Sequence, residues 1–368
     1  PKAPVNTLSR EAIVELDRFV ERFEELIASG ELIGVVLQSA KDSGFIAGAD
    51  VTEFDEMSDP GVLAAALPIV LQSSYWLAVC TLALIWMILN QSWNLVLGYS
   101  GVWNFGQLAI YAIGGYTAAL VSSRTGLPWP LAVLAAGLGA MLVSLVLAIP
   151  SLRLRGIYVS LLTFGFAEVV RLLIIADKSG ITGGTFGLSG FPGYGLSSVE
   201  PQQRARLIYW IALAGVALTL LAMYVVVRSP LGTGLVALRD NPSLAAARGI
   251  SPMSYQFVSF GISGFFAGIA GALYAFTYGV VSPSLMGLGP MTLLVTMLVI
   301  GGLGTLSGPL IGTAVLTLVQ AQLQTWPEIR LILLGVLLLL IVVLIPRGIV
   351  PLVSQGRARL SAWMAEDG

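Results

Sequence analysis

The chain changes character abruptly near residue 60. Residues 1–60 carry 13 of the 20 acidic residues against 5 Lys/Arg, whereas residues 61–368 carry 7 against 14 and consist largely of long apolar runs. The overall net charge of −1 is therefore an average over two unlike pieces. Soluble domains have about a quarter of their residues charged; here 11% are charged and 56% are hydrophobic, with a mean hydropathy of +0.88. The larger piece reads as a membrane protein. Its glycines suit it to this, because small residues let helix backbones approach closely in lipid.

Composition also excludes chemistry. The sequence has no histidine and one cysteine, Cys80, inside an apolar run. That removes His-dependent triads, imidazole metal ligands, histidine proton relays and intrachain disulfides, and it leaves no cysteine-based metal site. No GxxxxGK[ST] run occurs, so the chain has no P-loop for ATP. No catalytic residue, no metal site and no bound cofactor is expected, and no nucleic-acid partner.

Beyond Gly61, membrane-length runs fall at about 75–97, 104–122, 130–149, 157–176, 207–228, 254–278 and 330–346. A span needs about 20 apolar residues. The stretch 289–322 is longer, and Gly301-Gly302-Leu303-Gly304-Thr305-Leu306-Ser307-Gly308-Pro309 interrupts it. The glycines and Pro309 favour a break into two short helices, tolerated at depth where protein or water covers the backbone. Arg153 and Arg155, then Arg228, Arg239 and Arg248, then Arg347, Arg357 and Arg359 mark three basic connections. All three lie in the cytoplasm, as the positive-inside rule asks, only if 289–322 crosses twice. The polar loop 177–206 then falls outside. The expected fold is an all-α polytopic membrane protein of about eight or nine transmembrane helices, broken ones included, preceded by a small α/β fragment. The divisions are 1–60, 61–350 and a cytoplasmic tail, 351–368.

The strongest local signal is the connection between the spans 207–228 and 254–278. Asn241 can cap, Pro242 suits a first helical turn, and Ser243–Arg248 makes a short Ala-rich helix stopped by Gly249. Such a helix on the basic side can be an ordinary connector or a docking element for a cytoplasmic motor. Elsewhere, Glu168 and Arg171 stand i, i+3 in one span and are expected to pair on a shared face near its end.

Here the sequence resembles the branched-chain amino acid permease family of ABC importers. The resemblance rests on the loop just described and on ordered segments over about 75–350: Trp93–Gly101, Phe105-Gly106-Gln107 with Gly114–Ala119, Leu152–Tyr158, Thr182–Leu188 and Gly301–Gly312. Two positions depart from the pattern: Gln107, where many members have histidine, and Pro242, where an acidic residue is frequent. The resemblance implies a coupling loop made of Arg239, Asp240, Asn241, Ala245, Ala246, Ala247 and Gly249. Candidate pathway or helix-break residues are Gly106, Gln107, Thr182, Gly183, Gly184, Gly301, Gly302, Gly304, Gly308 and Pro309. The glycines also fit simple packing; as breaks, they would offer free backbone groups to an amino acid's charged ends.

Residues 1–60 combine an amphipathic helical stretch, Ser9–Ala28, with a β-branched run, Ile33–Ser39. Through Val35–Ser39 and Phe45–Asp50 this piece resembles the crotonase (enoyl-CoA hydratase) family. There the second stretch gives one N–H of an oxyanion hole. The rest of such a site is replaced by membrane helices, so the fragment reads as incomplete.

What the resemblance implies is import by alternating access in the bacterial inner membrane. Two cytoplasmic ATPase subunits would hydrolyse the ATP, a homologous permease subunit would complete the pathway, and a periplasmic binding protein would deliver the substrate. Membrane lipid surrounds the whole. The substrate would be branched-chain or other small amino acids; the alternatives are urea or short amides, a membrane-tethered acyl-CoA hydratase, and an ion-coupled carrier.

Overall fold

A computed structural model of the chain describes residues 74–154, 156–196 and 198–323, with the isolated positions 335 and 348. The chain divides into units 1–70 and 71–368. The described residues all belong to the second. Residues 1–60, expected as a crotonase-like fragment, the run 330–346 apart from the isolated position 335, and the tail 351–368 lie outside the described residues.

The described chain is helical. Helix α1 (Ser74–Asn94) runs on into a π-helical turn, Leu95–Tyr99. Then come α2 (Gln107–Thr125), α3 (Trp129–Ser151), α4 (Ile157–Ile175) and α5 (Pro201–Arg228), followed by the short α6 (Pro230–Asp240) and α7 (Pro242–Ala247). Helix α8 (Pro252–Tyr278) precedes α9 (Leu288–Gly301) and α10 (Gly308–Gln322). Among the described residues five segments are long and apolar enough to cross a membrane: 75–99, 129–151, 157–175, 201–228 and 252–278. This is the expected all-α polytopic membrane protein. The described sheet is one ribbon, β1 (Leu188–Ser189) antiparallel to β2 (Val280–Val281).

The interruption in 289–322 produces two helices, as expected. Helix α9 has 14 residues and α10 has 15, so each is about 21–23 Å long, shorter than the ~30 Å hydrocarbon core. They fold back on each other: a Cβ at Gly312 would lie 1.9 Å from the Met297 carbonyl oxygen, and at the far end of α10 the Ala321 carbonyl accepts from the Tyr75 hydroxyl at 3.4 Å.

Helix α8 is the centre of the bundle, packed on α2, α3 and α1, while α5 and the α9–α10 hairpin pack on α1. Helix α4 is peripheral. Ile157, Tyr158, Leu161 and Leu173 on it are exposed, an apolar face that belongs against lipid or another subunit.

Two boundaries move from the sequence reading. Helix α5 begins at Pro201 rather than 207, because Pro201 occupies its first turn and the polar Gln202–Arg206 stretch is helical without being apolar. Arg204 and Arg206 are thus helical, not loop, residues. The segment 230–240 is helix, not open loop: Ser229 caps it by accepting from the Leu231 N–H at 3.2 Å, and Pro230 fills the first turn.

Candidate functional site

Helix α7 forms as its sequence dictates. Its N-cap Asn241 takes the Leu244 N–H on Oδ1 at 3.0 Å and the Ser243 hydroxyl at 2.8 Å. At the other end Gly249, at φ 84°, lets the chain reverse. There the Gly249 N–H donates to the Ala246 carbonyl and the Ile250 N–H to the Ala245 carbonyl, both at 3.0 Å. That pair of bonds is a Schellman stop. Ala245 is buried; Leu244, Ala246 and Ala247 are exposed. Leu244, at 54% exposure, is an apolar side chain left uncovered in the connection that carries Arg228, Arg239 and Arg248.

Helix α6 ties α7 to the bundle through Arg239. Its Nη1 donates to the Gly98 carbonyl at 2.8 Å, and its Nε to Asp240 Oδ1 at 2.9 Å. Gly98 sits in the π-helical turn, and Asn94 opens that turn. The Asn94 amide holds the α9–α10 break with both ends: Nδ2 donates to the Thr305 carbonyl at 2.8 Å, and Oδ1 accepts the Gly304 N–H at 2.9 Å. Side chains cannot enter this junction. A Cβ at Gly98 would fall 2.4 Å from the Gly304 nitrogen, and one at Gly304 would fall 2.7 Å from Arg239 Nη1. One continuous set of contacts therefore runs from α6 through the π turn to the helix break. A cleft of about 620 Å³ lies beside it, lined by Arg239, Pro242, Ser243 and Ala246 together with the 100–103 turn and Ser151, Leu152, Leu154 and Gly156.

The break is held locally as well. Thr305 Oγ1 donates to the Gly302 carbonyl at 2.9 Å and accepts the Gly308 N–H at 3.0 Å, with Pro309 in the first turn of α10. Gly301 and Gly308 touch backbone to backbone, since a Cβ on Gly301 would meet the Gly308 carbonyl oxygen at 1.8 Å.

Gln107 lies elsewhere. It is 1% exposed, and its Nε2 donates to Ser92 Oγ at 3.1 Å and Ser263 Oγ at 3.0 Å. It thereby joins α2 to α1 and α8. Gly106 caps α2 beside it, its N–H held by Asn104 Oδ1 at 2.9 Å.

Thr182, Gly183 and Gly184 correct an expectation: they do not bend a membrane helix. They lie in the connection after α4, in a turn organised by Asp177, whose Oδ2 accepts the Thr182 N–H at 2.6 Å and hydroxyl at 2.7 Å. Hydrogen bonds from Ser179 and Thr182 hold the Asp177 carboxyl well below the usual carboxylate range. Gly183 and Gly184 both have positive φ, which suits a turn and not a helix.

Residues 75–342 match the family model described as the branched-chain amino acid transport system permease component. The chain belongs to this permease family. It is 32% identical over 313 residues to the high-affinity branched-chain amino acid transport system permease protein LivM of Escherichia coli, covering 79% of this chain and 73% of that protein. The LivM protein of Salmonella typhimurium is 31% identical over 327 residues, 83% of this chain and 76% of the relative. The guanosine ABC transporter permease protein NupQ of Bacillus subtilis is 26% identical over 191 residues, 48% of this chain and 60% of that one. No solved structure matches the chain.

In this permease Glu168 and Arg171 pair as the spacing implied: Arg171 Nε donates to Glu168 Oε2 at 2.9 Å, and Nη2 donates to Oε1. Reversing both charges is expected to lower yield and thermal stability less than reversing either alone; additive losses in a double-mutant cycle would break the account. Sequence reasoning missed Asn94, Gly98, Leu244 and α6. The Ser229-Pro230 start of α6 is an ordinary cap signal, obscured by Gly232 and Gly234. The role of Asn94 has no local signal, since its partners lie about 210 positions away in the chain.

Proposed function

We propose that the chain is the translocating subunit of an ABC importer for branched-chain or other small amino acids, driven by partner ATPases through α7. The observation that carries this is a capped, stopped helix that presents Leu244 and Ala246 uncovered and is tied by Arg239 to the π turn and the α9–α10 break. An ordinary connector needs neither an uncovered leucine nor a link to a break in the bundle. The basic connections place this end in the cytoplasm, and the opposite end, with the Asp177 turn and the β ribbon, faces the periplasm. Two cytoplasmic ATPase subunits hydrolyse the ATP, a homologous permease subunit packs on this one, and a periplasmic binding protein docks outside, all at the inner membrane. The permease itself catalyses no reaction and binds no cofactor.

The test is uptake by the reconstituted complex. ATP-dependent accumulation of labelled isoleucine, with no accumulation of urea or guanosine, supports the reading. Accumulation that persists without the ATPases and collapses with the proton gradient, or hydration of crotonyl-CoA by the purified chain, contradicts it. Because the family match begins at residue 75, deleting residues 1–60 is expected to leave insertion and isoleucine uptake at the full-length level; loss of either on deletion would give that segment a role in transport.

A further inference from the structure

Toward the end opposite α6 and α7, the bundle holds a cavity of about 450 Å³ between α1, α2, α8, the turn after β2 and α9. That is within the usual size of a small-molecule site. Trp86, Tyr111, Tyr274 and Tyr278 form an aromatic wall, leucines including Leu294 form most of the rest with Pro290, and Ser284 supplies a hydroxyl; none of the lining residues is charged. The Tyr111 and Tyr274 rings meet edge to face at 5.9 Å, and Tyr274 and Tyr278 lie 4.6 Å apart.

Tyr111 is the informative member. It is 2% exposed, and its hydroxyl has no hydrogen-bond partner in the protein. A phenylalanine would pack the same ring without stranding a buried donor, which is costly. A hydroxyl retained there is suited to a guest that brings its own polar group.

We infer that this cavity lodges an aliphatic amino acid in transit, a site that rests on the reading of the chain as an amino acid permease. The leucines take the branched side chain. The aromatic faces take the ammonium, a cation that ring quadrupoles attract most strongly where water is excluded. The Tyr111 hydroxyl, buried at the cavity's edge with no partner in the protein, donates to the carboxylate once the guest shifts the side chains that cover it. The position fits delivery from the outer face, because Tyr278 ends α8 at 40% exposure and Ser284 is exposed.

Two readouts test the site in the assembled complex. With saturating binding protein, Tyr111→Phe is expected to slow isoleucine uptake roughly tenfold or more, the usual scale for losing a hydrogen bond to a charged group. Leu294→Phe narrows the cavity and is expected to slow isoleucine about tenfold and alanine about twofold or less, since a pocket discriminates by size on this scale. Separately, in a Cys80→Ala background, isoleucine is expected to protect Ser284→Cys from a small alkylating reagent, and guanosine is not. If Tyr111→Phe fails to assemble, the protection result decides alone. Wild-type uptake rates in both variants, or alkylation indifferent to isoleucine, overturn the site and leave the proposed function standing. A wild-type complex that accumulates urea or guanosine but no isoleucine overturns both.

Discussion

Ala246→Glu is expected to reduce isoleucine uptake and substrate-stimulated ATP hydrolysis together by roughly thirtyfold or more, while the protein still inserts and binds its periplasmic partner. Ala246 is exposed on α7 and lines the cleft beside Arg239, so a glutamate there does not disturb the permease's own core. On the proposed reading it meets the partner ATPase instead. Arg239 is already held by Asp240 and the Gly98 carbonyl, so the new carboxylate would be buried at an interface without a free counter-charge, which costs several kcal/mol. At about 1.4 kcal/mol per factor of ten two such units are enough for the predicted loss. Leu244→Ser removes an apolar contact rather than adding a charge, so the same direction and a smaller loss are expected. A fall in ATP hydrolysis alone, with uptake per ATP unchanged, would place α7 outside the coupling route.

The other large effect concerns assembly. Gly271→Val is expected to abolish recovery of monodisperse protein, whereas Gly165→Ala leaves yield unchanged or improved. A Cβ at Gly271 would stand 1.9 Å from the Tyr111 carbonyl oxygen and 2.8 Å from the Gly115 nitrogen. Both are backbone atoms of α2, so no rotamer change relieves the clash and the helices must separate. Gly114 repeats this contact, since a Cβ there would stand 2.4 Å from the Gly268 Cα, and a Cβ at Gly268 would stand 2.6 Å from the Ala136 carbonyl oxygen of α3. Overpacking typically costs about 1–3 kcal/mol, and a rigid backbone contact repeated along three helices leaves less room to relax. At Gly165 nothing lies within 4 Å, so alanine there gains helix propensity without a clash, about 1 kcal/mol. Size-exclusion profiles and thermal stability in detergent decide between these outcomes. A wild-type profile for Gly271→Val would mean that the α2–α8 contact is looser than the backbone distances require.

What the sequence made legible was whatever local chemistry encodes. The apolar runs located the five membrane-length segments found among the described residues, although the run 104–122 became α2, which is not one of them, and 330–346 lies outside the described residues apart from position 335. The Gly-rich stretch located the α9–α10 break, and Asn241, Pro242 and Gly249 marked α7. Family segments pointed to the permease, and the match over 75–342 agrees with the range they covered. Polar helical turns were missed: the start of α5 fell outside the apolar count, and α6 was hidden by Gly232 and Gly234. A Cβ on Gly232 would fall 2.2 Å from the Val227 carbonyl oxygen and one on Gly234 2.3 Å from the Tyr255 ring, so these glycines serve packing, not a loop. The π turn at Leu95–Tyr99 has no periodic signature. Asn94, Gly98, Gly304 and Arg239 are separated widely in the chain, and only the folded bundle brings them together. Gly183 and Gly184 show the reverse error, since a pair of glycines beside a span looks like a helix bend until Asp177 is seen to organise a turn around them.

If the ATPases act on α7, thiol labelling at Ala246→Cys in a Cys80→Ala background reports it. A membrane-impermeant reagent is expected to label it from the cytoplasmic side only, with the rate falling about tenfold or more when the ATPases bind, as for a side chain moved from solvent into an interface core. Labelling from the outside, or a rate unchanged by the ATPases, would contradict both the orientation and the role assigned to this helix.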